Sequence, residues 1–373
     1  MIKSMAITMG RNKKMKITKV NLYDVRLPLI TPYGNSMGVL YEFTSIIAVI
    51  SGEDGSFGIG EATPAQPEYQ EETPESVWKF VTEHGKKLIG KELDEAYEYL
   101  LGYKNKFPFA CTAFMTGIEE LRKDSVITPD GEIRFPLVGI VNPKEGEGLE
   151  EHIARRLEEG YKTLKVKIGF QIDKDIRKAQ KIQKLVGDKA LLRFDANQAY
   201  TYEEAVRFVT EVDPYQVQLL EQPFDSGVWD DMTRLKQISR IPLMLDESIY
   251  NVSDVELTGK GQCADFIKFK LMKSSSGRLM QKEIESARNW NIKVLIGNGV
   301  ATDIGCYQES VIGHQNHITY AGEQNGLLKP KETLFAKKLI VKDGNMIIPE
   351  NFDRQLDLEK VRFYSIHEEV YEL

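Results

Sequence analysis

The residues of this chain that could do chemistry sit in five short stretches, YKTLKVKIGF, RFDANQAY, LLEQPF, MLDES and FIKFKLMKSSSG. The first holds Lys165 and Lys167 two residues apart in an apolar run. Strand side chains alternate faces, so both ammonium groups point the same way. The next three stretches place Asp195, Glu221 and Asp246 at the ends of successive apolar runs, and the fifth carries Lys270. Carboxylates gathered at one mouth repel each other, and a divalent cation relieves that repulsion. No His or Cys lies in these stretches. Oxygen-only ligation points to a hard ion, Mg2+ first and Mn2+ second. A lone acid at a strand end commonly caps a helix; three on neighbouring strands are better explained as ligands. Lysines are rarely buried without a function or a partner. Like charge beside Lys167 and a divalent cation is expected to depress the pKa of Lys165, so that a lysine of the pair is kept neutral as a general base. Lys270 lies in a lysine-rich segment and reads equally as a solvated charge at a helix start.

Elements must bring these residues together. From about residue 135, apolar runs ending at Gly139, Lys167, Asp195, Glu221, Asp246, Lys270, Gly297 and Glu323 recur at steps of 28, 28, 26, 25, 24, 27 and 26 residues. Amphipathic segments lie between them. IDKDIRKAQKIQKLV puts Ile172, Ile176, Ala179 and Val186 on one helical face, and Thr201 with Glu204 forms a capping box. A βα unit repeated at a near-constant step predicts a parallel sheet. The count favours closure into a modified (β/α)8 TIM-type barrel over a doubly wound sheet, with functional residues at the strand C-termini. Before it, FTSIIAVIS and GEDGSFGIGEA read as a hairpin, and Thr73-Pro74 opens a helix. This gives an α/β chain with an N-terminal α+β capping domain (1–130), a barrel (131–330) and a C-terminal segment (331–373) that returns to the cap through a hairpin turning at 343–345.

Composition narrows the setting. A net charge of -7 argues against a nucleic-acid surface. The three cysteines, Cys111, Cys263 and Cys306, form no metal spacing or disulfide framework, which favours a reducing, cytoplasmic compartment. No apolar run is long enough to span a bilayer, and the first residues read as a ragged terminus rather than a signal peptide. The expected partners are a small-molecule carboxylate and further copies of the chain, with no nucleic acid and no membrane.

In KVKIG, RFDANQAY, LLEQPF, MLDES and FIKFKLMKSSSG, taken in order, the chain resembles the enolase superfamily, specifically its muconate lactonizing enzyme subgroup. GIGEATP with YQEETPESV resembles that subgroup's capping domain, and FPFACTAFMTGIEEL the helix entering the barrel. The resemblance implies one Mg2+ on Asp195, Glu221 and Asp246, with the substrate carboxylate on the ion. It implies that Lys167 abstracts the α-proton, that Lys165 assists electrostatically, and that Lys270 acts on the opposite face. Asn197 and Glu247 would support the ligands. Segment 31–41 would close over the substrate, and the loop at 66–72 would help choose it.

Two departures bear on the substrate. Dipeptide epimerases of this subgroup carry an Asp-x-Asp on the eighth strand; here YAGEQNG offers only Glu323, either an amine partner or a structural acid. The seventh run continues as LIGNGVATDIGCYQES, where Asn298 and Asp303 suggest polar contacts to substrate, although Asp303 also suits a helix N-terminus. The favoured activity is racemisation or epimerisation of an amino-acid-derived or related carboxylic acid by two opposed lysines. The alternative is a lyase or cycloisomerase on the same scaffold, of the o-succinylbenzoate synthase or lactonizing type. A non-catalytic binding barrel and a phosphate site at the acidic NPKEGEG fit the residues less well.

Overall fold

The structure, a computed structural model, describes residues 14–35, 38–64, 71–143 and 146–373. Most of the expected specificity loop at 66–72 and the centre of segment 31–41 lie outside the described residues, as does the terminus before residue 14.

The cap begins with three antiparallel strands, β1 (Ile17–Asn35), β2 (Gly38–Gly52) and β3 (Phe57–Ala62), followed by helices α1 (Pro74–Leu88), α2 (Leu93–Leu101) and α3 (Pro108–Arg122). Thr73 caps α1 and accepts from the Ser76 amide, with Pro74 in the first turn, where its missing N–H costs nothing. Helix α3 is buried on every side. It lies so close to β3 that a Cβ on Gly60 would fall 2.1 Å from the Ala113 carbonyl oxygen. Only glycine permits that approach. Gly60→Ala is expected to destabilise the protein by about 1–3 kcal/mol through overpacking, measured by urea unfolding.

Strand β4 (Ile133–Pro136) leads into a curled parallel sheet of β5 (Gly139–Val141), β6 (Thr163–Lys167), β7 (Leu191–Asp195), β8 (Val217–Glu221), β9 (Leu243–Leu245), β10 (Phe266–Phe269) and β11 (Lys293–Ile296), paired in chain order. Outside it run α4 (Leu149–Glu158), α5 (Ile172–Val186), α6 (Tyr202–Glu211), α7 (Trp229–Ile238), α8 (Val252–Gly261), the short α9 (Leu271–Ser274), α10 (Gly277–Asn289) and α11 (Asp303–Gln315). Their apolar faces, such as Ile176, Ala179, Ile182 and Val186 of α5, pack on outward side chains such as Leu192 and Phe194.

Two expected strands differ. The run FPLVGI divides: Phe135 and Pro136 belong to β4, which pairs with β13 (Asn345–Ile348) in a small sheet with β12 (Ile340–Lys342). Gly139 therefore begins the first barrel strand rather than ending it. The eighth run, HITYAGE, forms no strand. It closes the ring through single contacts: the Val138 amide donates to Gly322, and the Glu323 amide donates to Ile296. Ala321-Gly322 has little β-propensity, so a few bonds replace a ladder here. The ring is a modified eight-fold barrel with seven regular strands.

The tail forms α12 (Leu358–Tyr364) and β14 (Ser365–Glu372), and β14 pairs antiparallel with β1 at the edge of the capping sheet. Cap carboxylates also hold barrel helices. Glu61 of β3 accepts from the Thr302 and Gly305 amides at the start of α11, and Glu119 of α3 accepts from Gly277 and Arg278 at the start of α10. These are the orphan donors that every helix N-terminus presents. No described helix is long and apolar enough to cross a membrane. Cys111, Cys263 and Cys306 are buried and free.

Candidate active site

Pairing register places Lys167, Asp195 and Glu221 side by side at the C-terminal ends of β6, β7 and β8. Asp246 follows one residue after β9. All three acids are buried. Lys165, two residues before Lys167, shares its face, and its Nζ lies 2.9 Å from Asp195 Oδ2, 2.9 Å from Glu221 Oε2 and 2.8 Å from Glu323 Oε1. Lys167 donates to Asp195 Oδ2 at 2.8 Å and to Asn197 Oδ1, and it is the more open of the two, with 39% of its side chain exposed. Across the row, Lys270 Nζ lies 2.8 Å from Asp246 Oδ2. Lys167 and Lys270 therefore bracket the row of acids from its two ends.

The loops after the strands hold these groups in place. Asn197 occupies the left-handed region at φ +43, which Asn tolerates, and its Nδ2 donates to Glu247 Oε1 at 3.1 Å. Gln222, next to Glu221, accepts from the Asp246 and Ser248 amides through one oxygen and donates to the Phe224 carbonyl and Ser248 Oγ. It ties Glu221, at the end of β8, to the loop that carries Asp246 after β9, a positioning role with no signal in the sequence pattern.

Two further lysines were also missed. Lys268, inside β10, is 1% exposed and contacts Glu221 Oε1, Asp246 Oδ2 at 2.9 Å and Glu323 Oε2 at 3.1 Å. Lys273 donates to the Asp246 carbonyl at 2.8 Å, and its ammonium stands 4.5 Å from the centre of the Tyr250 ring. The signal was present: Lys268 and Lys270 repeat the two-residue spacing of Lys165 and Lys167 on another strand. Lys270 is buried, so the solvated reading of this segment does not hold.

Electrostatics reverse one expectation. Burial alone would lower the Lys165 ammonium, but Asp195, Glu221 and Glu323 outweigh it and hold it well above the ordinary lysine range. The depressed value is the one expected beside Lys167 and a divalent cation together; among the chain's own groups, the three carboxylates in contact prevail. Burial likewise opposes ionisation of Asp195 and Asp246, yet the surrounding lysines hold both far below the usual range. Glu221 is pushed up to about 7 by burial and by Asp195, and burial lowers Lys273 to about 8.

Asp195, Glu221 and Asp246 are the residues that could hold a hard cation. Their donors are all carboxylate oxygens. Glu221 Oε2 has Lys165 at 2.9 Å but no hydrogen bond directed at it, and Glu247 Oε2 is buried without a hydrogen-bond partner. Such spare acceptors suit a divalent ion. Ammonium groups stand between the acids, Lys165 between the first pair and Lys268 between the second. Accordingly, among the described residues no three acid, His or Cys side chains are drawn into a ready cage; the carboxylates fit by type and number, and holding an ion requires them to turn from ammonium to metal.

The remaining candidates separate. Glu323 joins the cup through Lys165 and Lys268. Asp303 accepts from the Leu334 and Phe335 amides at 2.8 Å each and is buried there, which makes it an anchor for the C-terminal segment. Asn298 donates to Glu309 Oε2 at 2.7 Å and accepts from the Ala301 amide, holding the loop before α11. Burial raises Glu309 to about 8. A carboxyl raised on folding stabilises fully below its unfolded pKa, and that contribution is lost as pH rises through the folded value. Glu309→Gln removes the effect: wild type is expected to lose about 3 kcal/mol more than the variant between pH 5 and 8 in urea unfolding.

The family described as enolase C-terminal domain-like matches residues 148–352, which span β6 to β13 and every strand-end residue named above. The chain belongs to the enolase superfamily. Among its relatives, the D-Ala-D/L-Ala epimerase of Cytophaga hutchinsonii is 27% identical over 311 residues, covering 78% of this chain and 82% of that one. The o-succinylbenzoate synthase of Listeria innocua is 25% identical and covers 94% of this chain and 96% of its own. A dipeptide epimerase of C. hutchinsonii, solved with Mg and the dipeptide D-Ala-L-Val, superposes with a TM-score of 0.86 at 21% identity, over 96% of this chain and 100% of that one. This enolase-superfamily chain thus has relatives among both epimerases and a synthase, on one barrel.

Proposed function

We propose that this enolase-superfamily enzyme is a Mg2+-dependent racemase or epimerase that removes and returns the proton α to a carboxylate. The observation that carries the reading is the bracketing of Asp195, Glu221 and Asp246 by Lys167 at one end and Lys270 at the other. Asp195, Glu221 and Asp246 would hold the ion, with Mn2+ as a substitute. When bound, it supplies a Lewis acid for the charge that builds on the substrate carboxylate. Lys167 takes the proton from one face of the α-carbon, and Lys270 returns one to the other. Lys165, buried and cationic, stabilises the growing negative charge. Asn197 and Glu247 keep Lys167 aimed by hydrogen bonds.

Glu323 bears on substrate class. Both of its oxygens face lysines of the chain, and its hydrogen bonds run to Lys165 and Lys268. It is therefore committed inside the cup rather than offered to a dipeptide's ammonium, which favours a substrate whose amine is acylated or missing. The test is incubation with Mg2+ in heavy water against a panel of N-acyl amino acids, dipeptides, betaines and hydroxy acids. The expected result is deuterium at the α-carbon of both stereoisomers with no new double bond. Formation of an unsaturated acid or a lactone would replace this reading with the lyase or cycloisomerase one. No exchange on any panel member would remove it.

A further inference from the structure

The cup holds more charge than proton transfer at one carbon requires. Lys165, Lys167, Lys268, Lys270 and Lys273 face Asp195, Glu221, Asp246, Glu247 and Glu323, and the buried Arg193 guanidinium adds a further positive charge acting on Glu221 and Glu323 before any divalent ion is added. The proposed chemistry uses Lys165, Lys167 and Lys270, and Lys273 is turned to the Asp246 carbonyl. Lys268 and Glu323 remain. They contact each other at 3.1 Å, and each reaches a group with a role: Lys268 touches Glu221 and Asp246, and Glu323 touches Lys165.

The fold makes deliberate room for this pair. The Lys268 stem runs past Gly297, where a Cβ would lie 2.6 Å from Lys268 Cδ and 2.8 Å from Cγ. The Glu323 backbone is fixed by its amide, which donates to the Ile296 carbonyl, and its carboxylate is held by Lys165 and Lys268. Lys268 is therefore a buried cation held within hydrogen-bond reach of two of the three carboxylates that an ion would need. A bound divalent cation must share those oxygens with it and endure its repulsion at short range in a medium that screens poorly. Glu323 opposes this by drawing the ammonium toward itself.

We infer that Lys268 and Glu323 form an internal charge pair that sets how tightly this chain holds its divalent ion, Lys268 loosening the grip and Glu323 restoring it. The pair makes the ion's affinity a property of residues outside the ligand set. This rests on the Mg2+ reading above.

The test is titration of chelator-treated protein with Mg2+ by calorimetry, in wild type, Lys268→Met, Glu323→Gln and the double variant, with folding checked by circular dichroism. Lys268→Met is expected to tighten Mg2+ by about tenfold or more, Glu323→Gln to weaken it by about tenfold or more, and the double variant to return within roughly threefold of wild type. Lys268→Gln, which keeps a polar end in the same slot, serves if the Met variant does not fold. If both single variants weaken binding alike, the pair is only structural and the inference falls while the Mg2+ reading stands. If Mg2+ binds wild type and no variant shifts it, the inference also falls alone. Absence of binding in all four would overturn the inference together with the Mg2+ reading.

Discussion

Lys270→Ala will stop net racemisation, with a loss of roughly 10³ in kcat, while α-proton exchange continues on one stereoisomer only. The reason lies in the placement of the two amines. Lys167 contacts Asp195 on the β6 side of the cup, and Lys270 contacts Asp246 on the β10 side. A proton taken by Lys167 from its own face is replaced by deuterium from solvent whether or not Lys270 is present, so that stereoisomer still exchanges. The other stereoisomer presents its proton to the face Lys270 occupied, and nothing there can accept it. Lys167→Ala should give the mirror result, and the two variants together should exchange neither. Proton NMR in heavy water, run from each pure stereoisomer on whichever acid the panel identifies, separates the cases. If Lys270→Ala slowed exchange equally on both stereoisomers, Lys270 would act as a fixed cation over the carboxylate. That result belongs to the synthase-like alternative. Each variant loses an ammonium that balances a buried acid, so its urea midpoint must be compared with wild type before the rates are read.

The parts of this site that could be read from the chain are those written at strand ends. Asp195, Glu221 and Asp246 fall at near-constant steps, and a parallel barrel turns that spacing into adjacency without help from anything else. The lysine pair on β6 was legible for the same reason, since period-two spacing fixes a face. What sequence could not convey was where each charge finds its partner. Glu323 meets Lys165 across 158 positions, and Glu61 meets the start of α11 across more than 240. Contacts at such separation leave no periodic trace. Lys268 was hidden differently. In a segment with three lysines the strand and helix periods overlap, and a solvated face fits the residues as well as a buried one until burial decides. The missing eighth strand has a further cause: Ala321-Gly322 has little β-propensity, and the closing segment is held by isolated bonds to Val138 and Ile296. The low lysine pKa expected beside Lys167 and a divalent cation does not appear among the chain's own groups, because three carboxylates contact Lys165 there.

Among those carboxylates, the middle acid is the one that separates loss of the ion from loss of the fold. Glu221 touches Lys165 on one side and Lys268 on the other, and all three side chains are buried. Glu221→Gln keeps the shape and removes one charge, while Lys165 keeps Asp195 and Glu323 and Lys268 keeps Asp246 and Glu323. Burial and Asp195 already push the Glu221 carboxyl up to about 7, so the fold holds its charge at a cost near neutral pH. The variant is therefore expected to stay within about 1–2 kcal/mol of wild type in urea unfolding at pH 7 without added metal. A second effect should separate it from an ordinary core lesion. In wild type, Mg2+ at a hundredfold excess over its dissociation constant should stabilise the folded protein by about 2.7 kcal/mol, since a ligand that binds only the native state adds to its stability. In Glu221→Gln this increment should fall to near zero, and α-proton exchange should fall with it. Asp175 is the control, a buried carboxylate that accepts from the Gly169 and Phe170 amides and from Tyr200. Asp175→Asn should lose stability but retain the full Mg2+ increment. Equal Mg2+ increments in wild type and Glu221→Gln would move the ion, if one binds, away from these three strands.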